Sequence, residues 1–364
     1  QLTEALVSGS KTVSAGTALV TVTDTAFHAT DNTVTIAATA LSAIGNVTTG
    51  AVTVSNAIKV EGTTTQLTEA LVSGSKTVSA GTAKVTVTDA AFHATDNTVT
   101  IAATTLSGIG GATSGTVTLK NKVRISGTQS EVTTALIGGS SVVASQAATE
   151  AVVTNAVNAS QGAAIAGVSK ITGIFSGGLT DSVGNLVTGV TTSANLNTVT
   201  TEDTDINITV SDSAFHATDN TATIAAAGLS AVKAKTSGTL TVTEAVKIVG
   251  SQAQLTKALV TDSITASTAL ATINDAAFHA TDNTVTIAAT ALSGIGGATS
   301  GTVTLKNKVR ISGTQSEVTT ALIGGSSVVA SQAATEAVVT NAVNASQGAA
   351  IAGVSKITGI FSGG

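Results

Sequence analysis

The heptapeptide Ala-Phe-His-Ala-Thr-Asp-Asn occurs four times, beginning at Ala26, Ala91, Ala214 and Ala277, and this repetition limits the chain to folds built from stacked modules. A second marker, a short helix-like segment, follows each start at Gln66, Glu131, Gln254 and Glu317, with a fifth copy at Gln1. The interval from first marker to second never varies. From the second marker to the next heptapeptide it does: Gln1 to Ala26 equals Gln66 to Ala91, Gln254 to Ala277 is slightly shorter, and Glu131 to Ala214 is far longer. About 58 extra residues thus sit in one place without disturbing the rest, as expected where each module touches only its neighbours. The units run 1–65, 66–130, 131–253 with the insertion, 254–316 and an incomplete 317–364, read as one continuous solenoid over 1–364. A longer period lies above them: 91–178 recurs as 277–364, shifted by 186, and only Thr105 against Ala291 differs.

What the units can bury follows from their side chains. Hydrophobic residues make up 42%, yet six Phe are the only aromatics, and Trp, Tyr, Met, Cys and Pro are absent. Large aromatics usually fill a thick core, so this chain is expected to have a thin one. Period-2 runs rich in β-branched residues mark strands at Val20–Thr23, Thr33–Ala37, Ala51–Ser55 and Ile58–Val60, and Ala38–Ile44 reads as one or two helical turns stopped by Gly45. About three strand-and-turn cycles fill each 65-residue unit. The expected fold is mainly β: a parallel β-solenoid, or β-helix, with short helical turns and roughly 20–22 residues per coil. Val117, Leu119, Val123 and Ile125 face inward on this reading, and Thr118, Lys120, Lys122 and Arg124 face out.

Charge and hydropathy exclude several functions. Only 10% of residues are charged and the net charge is −5, which gives nucleic acid no electrostatic footprint. No run of 18 apolar residues is present to form a transmembrane segment. Without cysteine there is neither a disulfide framework nor a thiolate metal site. The chain begins at Gln1 and contains no Met, so the expectation is a processed chain or part of a longer one.

Candidate chemistry is confined to the heptapeptide and one basic spot. Each histidine has two carboxylates beside it: Asp24, His28 and Asp31; Asp89, His93 and Asp96; Asp212, His216 and Asp219; Asp275, His279 and Asp282. One imidazole and two carboxylates are ligands for a divalent cation such as calcium. The competing reading makes Asp24 a helix cap, Phe27 a core plug, His28 an outward side chain and Asp31-Asn32 a turn, with no cofactor. That second reading is preferred, because three mixed ligands lack a strict motif. Lys120, Lys122 and Arg124, with Lys306, Lys308 and Arg310, are lateral-contact candidates that set register if rods pack side by side. Thr-x-Thr strands such as Thr21–Thr23 and Thr116–Thr118 are spaced too irregularly for an ice-binding array, and β propensity accounts for them. No Gly-x-Ser-x-Gly elbow occurs, and duplication adds little to an assembled active site, so the chain is not expected to be an enzyme.

The Val-Thr-Val-Thr-Asp strands, the Ala-Leu-Ser-x-Ile-Gly turns and the long repeats resemble the Thr/Ala/Val/Gly-rich tracts of giant bacterial surface proteins, adhesins and S-layer-like proteins. The resemblance covers the whole chain in style. It implies an extracellular or cell-surface structural protein that assembles with itself, end to end and side by side, as a filament, sheath or coat. An adhesin or ligand-, cation- or ice-binding module, a phage tail-fibre segment and a polysaccharide-acting enzyme stand behind it as alternatives.

Overall fold

A computed structural model describes residues 2–8, 15–30, 32–73, 78–139, 142–146, 148–324 and 328–363. Two compact units divide the chain, Gln1–Gly177 and Gly178–Gly364. Each is built from parallel strands in several sheets with short helices between them. In the first unit one sheet joins Val20–Val22, Val52–Val54 and Val78–Ser79. A second joins Thr35–Ala37, Lys59–Gly62, Lys84–Val87, Val117–Leu119 and Val142–Ala144, and a third joins Thr100–Ala102, Arg124–Gly127, Thr149–Val153 and Ile171–Ile174. The second unit has the same kind of sheets, its longest running from Thr223–Ala225 through Lys247–Gly250, Leu270–Ile273 and Val303–Leu305 to Val328–Ala330. Among the described residues every strand pairing is parallel except the hairpin of Val187–Thr188 with Thr191–Thr192, and no sheet closes into a barrel.

Inward rows of β-branched side chains make the core. Val60, Val85, Val117 and Val142 are successive register partners, each at most 3% exposed. In the second unit Ile248, Ala271, Val303 and Val328 form the corresponding row. Val117, Leu119, Val123 and Ile125 are buried, as their alternation with polar residues leads one to expect. The Ala-x-x-Leu-x-x-Ile stretches are helices, Ala38–Asn46, Ala103–Gly111 and Ala289–Gly297, and they turn Ala, Leu and Ile at three-residue spacing into the core. Full burial of one such Leu is worth roughly 1.5–3 kcal/mol. Among the described residues no helix is long and apolar enough to cross a membrane.

Two expectations need correcting. Helix takes roughly 30% of the chain and strand 29%, so the description as mainly β gives way to near-equal shares. The sequence step between paired strands also exceeds the expected coil in most places. Thr149 to its partner Ile171 fits that expectation, but Thr35 to Lys59 and Val117 to Val142 are longer, and Val20 to Val52 is longer still. Each of these steps contains a helix, Ala159–Ala166 in the step that fits, so a helix alone does not set the length. The four longest steps, Val20 to Val52, Val85 to Val117, Ile208 to Leu240 and Ala271 to Val303, are those that contain the heptapeptide. As a result the sequence repeat holds two steps and a fraction, not three. Val20–Val22 stands in the first sheet, whereas Lys84–Val87, which holds the equivalent Val85–Val87, stands in the second.

The second marker is displaced from its expected start as well. Helix Thr64–Thr68 begins before Gln66, because Thr63 caps it and Gln66 is the third residue, returning a bond to the Thr63 amide. Thr128 with Glu131, Ser251 with Gln254, and Thr314 with Glu317 form the same capping box. The copy beginning at Gln1 has its first residue outside the described residues.

Candidate functional site

The heptapeptide closes on itself through its own main chain. Main-chain bonds join His28 to Asn32, His93 to Asn97, His216 to Asn220 and His279 to Asn283 in both directions, at 2.7–3.2 Å. The Asn side chain locks the base: its Nδ2 donates to the carbonyl of Ala26, Ala91, Ala214 or Ala277, and its Oδ1 accepts the amide two residues on. Local side-chain bonding of this kind is why Asn favours turns. Each Phe amide then donates to a carbonyl further along the chain, that of Ala57, Lys122, Ala245 or Lys308.

These bonds leave the Asp–His–Asp trios apart. The histidines are exposed, and His28 Nδ1 lies 2.9 Å from Thr30 Oγ1 within its own loop. Asp89 reaches backward instead. Its Oδ2 accepts the amide of Thr64 at 2.7 Å and its Oδ1 the Thr64 hydroxyl at 2.9 Å, so it holds the first turn of the preceding helix. Asp212 does the same for the amide of Val183 and Asp275 for that of Gln252. Asn155 and Asn341 serve the amides of Gln129 and Gln315 where no heptapeptide follows. Asp24 is exposed, with its carbonyl held by Asn56, and Asp96, Asp219 and Asp282 are exposed at the loop tips. Asp31 lies outside the described residues. Among the described residues no three of His, Cys, Asp or Glu come together as a group able to hold a metal ion. A cavity of about 580 Å³ beside Asp89 contains one more carboxylate, Glu69, which accepts a bond from Ser42 Oγ at 3.1 Å.

Phe27 is not a core plug. Its ring lies beside Lys59 and Lys84, whose side chains point out from the sheet, opposite to the buried Val60 and Val85. The Arg124 guanidinium stands 3.9 Å from the Phe92 ring centre, Arg310 3.8 Å from that of Phe278, and the Lys247 ammonium 4.7 Å from that of Phe215. Arg124 also pairs with Glu150 at 2.6 Å and Arg310 with Glu336 at 2.7 Å. Of the lateral-contact candidates, Arg124 and Arg310 are therefore engaged within their own units. Lys120 and Lys122 are exposed, as are Lys306 and the half-exposed Lys308. Stacking on a ring and pairing with a carboxylate are two uses for which guanidinium is better shaped than ammonium.

One recurring set of residues escaped the sequence reading. Thr48, Thr113, Thr236 and Thr299 are buried, and each hydroxyl donates to a carbonyl 30 residues earlier: Ala18, Ala83, Ile206 or Ala269, at 2.5–2.6 Å. The same oxygen accepts the amide of the glycine two residues later. A Cβ on Gly50, Gly115, Gly238 or Gly301 would lie 2.2–2.3 Å from the carbonyl oxygen of Ala18, Ala83, Asp205 or Ala269, so glycine is required by close approach. The signal was present: each Thr-[Thr/Ser]-Gly stands at one fixed interval after a heptapeptide start. Compared with family models, with curated proteins and with solved structures, the chain matches none.

Proposed function

We propose that this chain is a structural repeat protein, a parallel β-solenoid that forms or extends an extracellular filament, sheath or surface coat. The observation that carries the reading is that a buried Thr in all four heptapeptide repeats, and the Asp ahead of the loop in three of them, fasten one segment to the one before it. Asp89, Asp212 and Asp275 cap helices of the preceding coil, and Thr48, Thr113, Thr236 and Thr299 bond its carbonyls. Parallel register that recurs from rung to rung supports a solenoid path within each unit. Association with further copies is supported by edge strands such as Thr35–Ala37 in one unit and Ile357–Phe361 in the other, which have a neighbour on one side only among the described residues.

Electron microscopy of the recombinant chain over a hundredfold range of concentration tests the assembly. End-to-end filaments that lengthen with concentration are expected. Discrete particles of unchanged size throughout the range would remove self-assembly from the account.

A further inference from the structure

In the first unit, the outward face of the sheet containing Lys59–Gly62, Lys84–Val87 and Val117–Leu119 carries a groove of about 350 Å³, lined in part by Phe27, Lys59, Glu61, Lys84, Thr118 and Lys120. Lys59 and Lys84 are register partners, and their ammonium groups lie 5.2 and 5.6 Å from the same Phe27 ring centre. Like charges set opposite one another on a sheet repel. Lys59 has a carboxylate beside it, Glu61 at 2.6 Å, whereas Lys84 and Lys120 form no ion pair among the described residues. A fourth ammonium reaches the rim, where Lys170 Nζ donates to the carbonyl of Ser145, itself a lining residue. In a chain with net charge −5 and only 10% charged residues, this is a local excess of positive charge around one carboxylate.

A single position creates it. The residue equivalent to Lys84 is Leu19 in the repeat before, and Asn207 and Leu270 in the second unit, where Glu61 is also replaced by Val249. Solvation of an outward strand does not call for a positive charge here, because an uncharged leucine or asparagine serves at the same place in the other heptapeptide repeats.

We propose that the groove binds an acidic sugar. The sulfate or carboxylate is held by the ammonium groups of Lys84 and Lys120, and the ring hydroxyls meet Thr118 and Ser145, which border the same space. Its volume lies at the small end of ligand pockets, matching a mono- or disaccharide and not a drug-sized molecule. The site is independent of the filament reading.

Calorimetric titration of the whole chain with glucose 6-sulfate, glucuronic acid, glucose and sodium sulfate tests the proposal. Both acidic sugars are expected to bind at one site per chain, with affinity falling as salt rises; glucose is expected not to bind. Lys84→Leu, which copies Leu19 and Leu270, should weaken binding at least tenfold with the circular dichroism spectrum unchanged, and Lys257→Leu should leave it unaltered. Absence of binding by either acidic sugar at millimolar concentration, equal binding of glucose, or indifference to Lys84→Leu would overturn the proposal. Sodium sulfate binding as tightly as glucose 6-sulfate would reduce the groove to a plain oxyanion site and overturn the sugar assignment.

Discussion

Replacing Thr113 by Val keeps the shape of the side chain and removes the hydroxyl that fastens its segment to that of Ala83. In the structure that oxygen donates to Ala83 at 2.6 Å, lies 3.2 Å from the Gly81 carbonyl and accepts the Gly115 amide at 3.0 Å, with Thr113 itself 8% exposed. The substitution therefore strips a partner from one buried carbonyl and one amide at once. Leaving such a group unsatisfied costs roughly 1–3 kcal/mol, so the pair is expected to cost about 2–4 kcal/mol. Chemical denaturation of a repeat chain need not be two-state, which makes local hydrogen exchange the better assay. At about 1.4 kcal/mol per factor of ten, exchange of the Gly115 and Val117–Leu119 amides should accelerate roughly 30-fold to several hundredfold. Ser114→Ala is the control, because its hydroxyl bond to Gly81 is exposed and should change exchange less than threefold. Equal acceleration in the two variants, or less than threefold in Thr113→Val, would refute the reasoning.

Four further outcomes follow from the same geometry. Gly115→Ala forces a Cβ to 2.2 Å from the Ala83 carbonyl oxygen, and it should be more damaging than Thr113→Val in the same exchange assay. Asp89→Ala should destabilise helix Thr64–Thr68 by about 0.5–2 kcal/mol, whereas Asp89→Asn should cost a few tenths, since Asn155 and Asn341 already fill that role; thermal melts by circular dichroism distinguish them. Arg124→Lys should lose part of both the Phe92 stack and the Glu150 pair, roughly 1 kcal/mol in the same melts. Changing His28, His93, His216 and His279 together to Asn should leave the melting temperature unaffected by calcium or EDTA, as in the parent chain. A calcium-dependent rise in the parent that the variant loses would restore the cation reading.

Much of the fold could be read because strands and helices here announce themselves locally. Ala38–Ile44 matches the helix Ala38–Asn46 at its start and falls just short at its end, and the burial of Val117, Leu119, Val123 and Ile125 follows from alternation alone. Coil length was not legible by dividing the repeat into equal cycles, because the heptapeptide folds on itself and lengthens only the step that contains it. Phe27 was misassigned to the core for a related reason: apolar character says that a ring will be covered, not whether aliphatic side chains or a cation will cover it. Asp89 drew attention through His93, its neighbour in sequence, while its partner Thr64 lies 25 residues earlier and carries no signal until strand register is known.

Cysteine pairs give the most direct test of coil-on-coil stacking, since the chain has none of its own. Thr21 and Thr53 are exposed register partners on adjacent rungs, and Ser79 is the partner of Thr53 one rung further. Adjacent rungs lie about 4.8 Å apart and alternate ones about twice that, against a limit of about 7 Å between the Cα atoms of a disulfide. Under mild oxidation, Thr21→Cys with Thr53→Cys should close within the monomer, and Thr21→Cys with Ser79→Cys should remain reduced. Closure of the second pair and not the first would contradict the stacking on which the account depends.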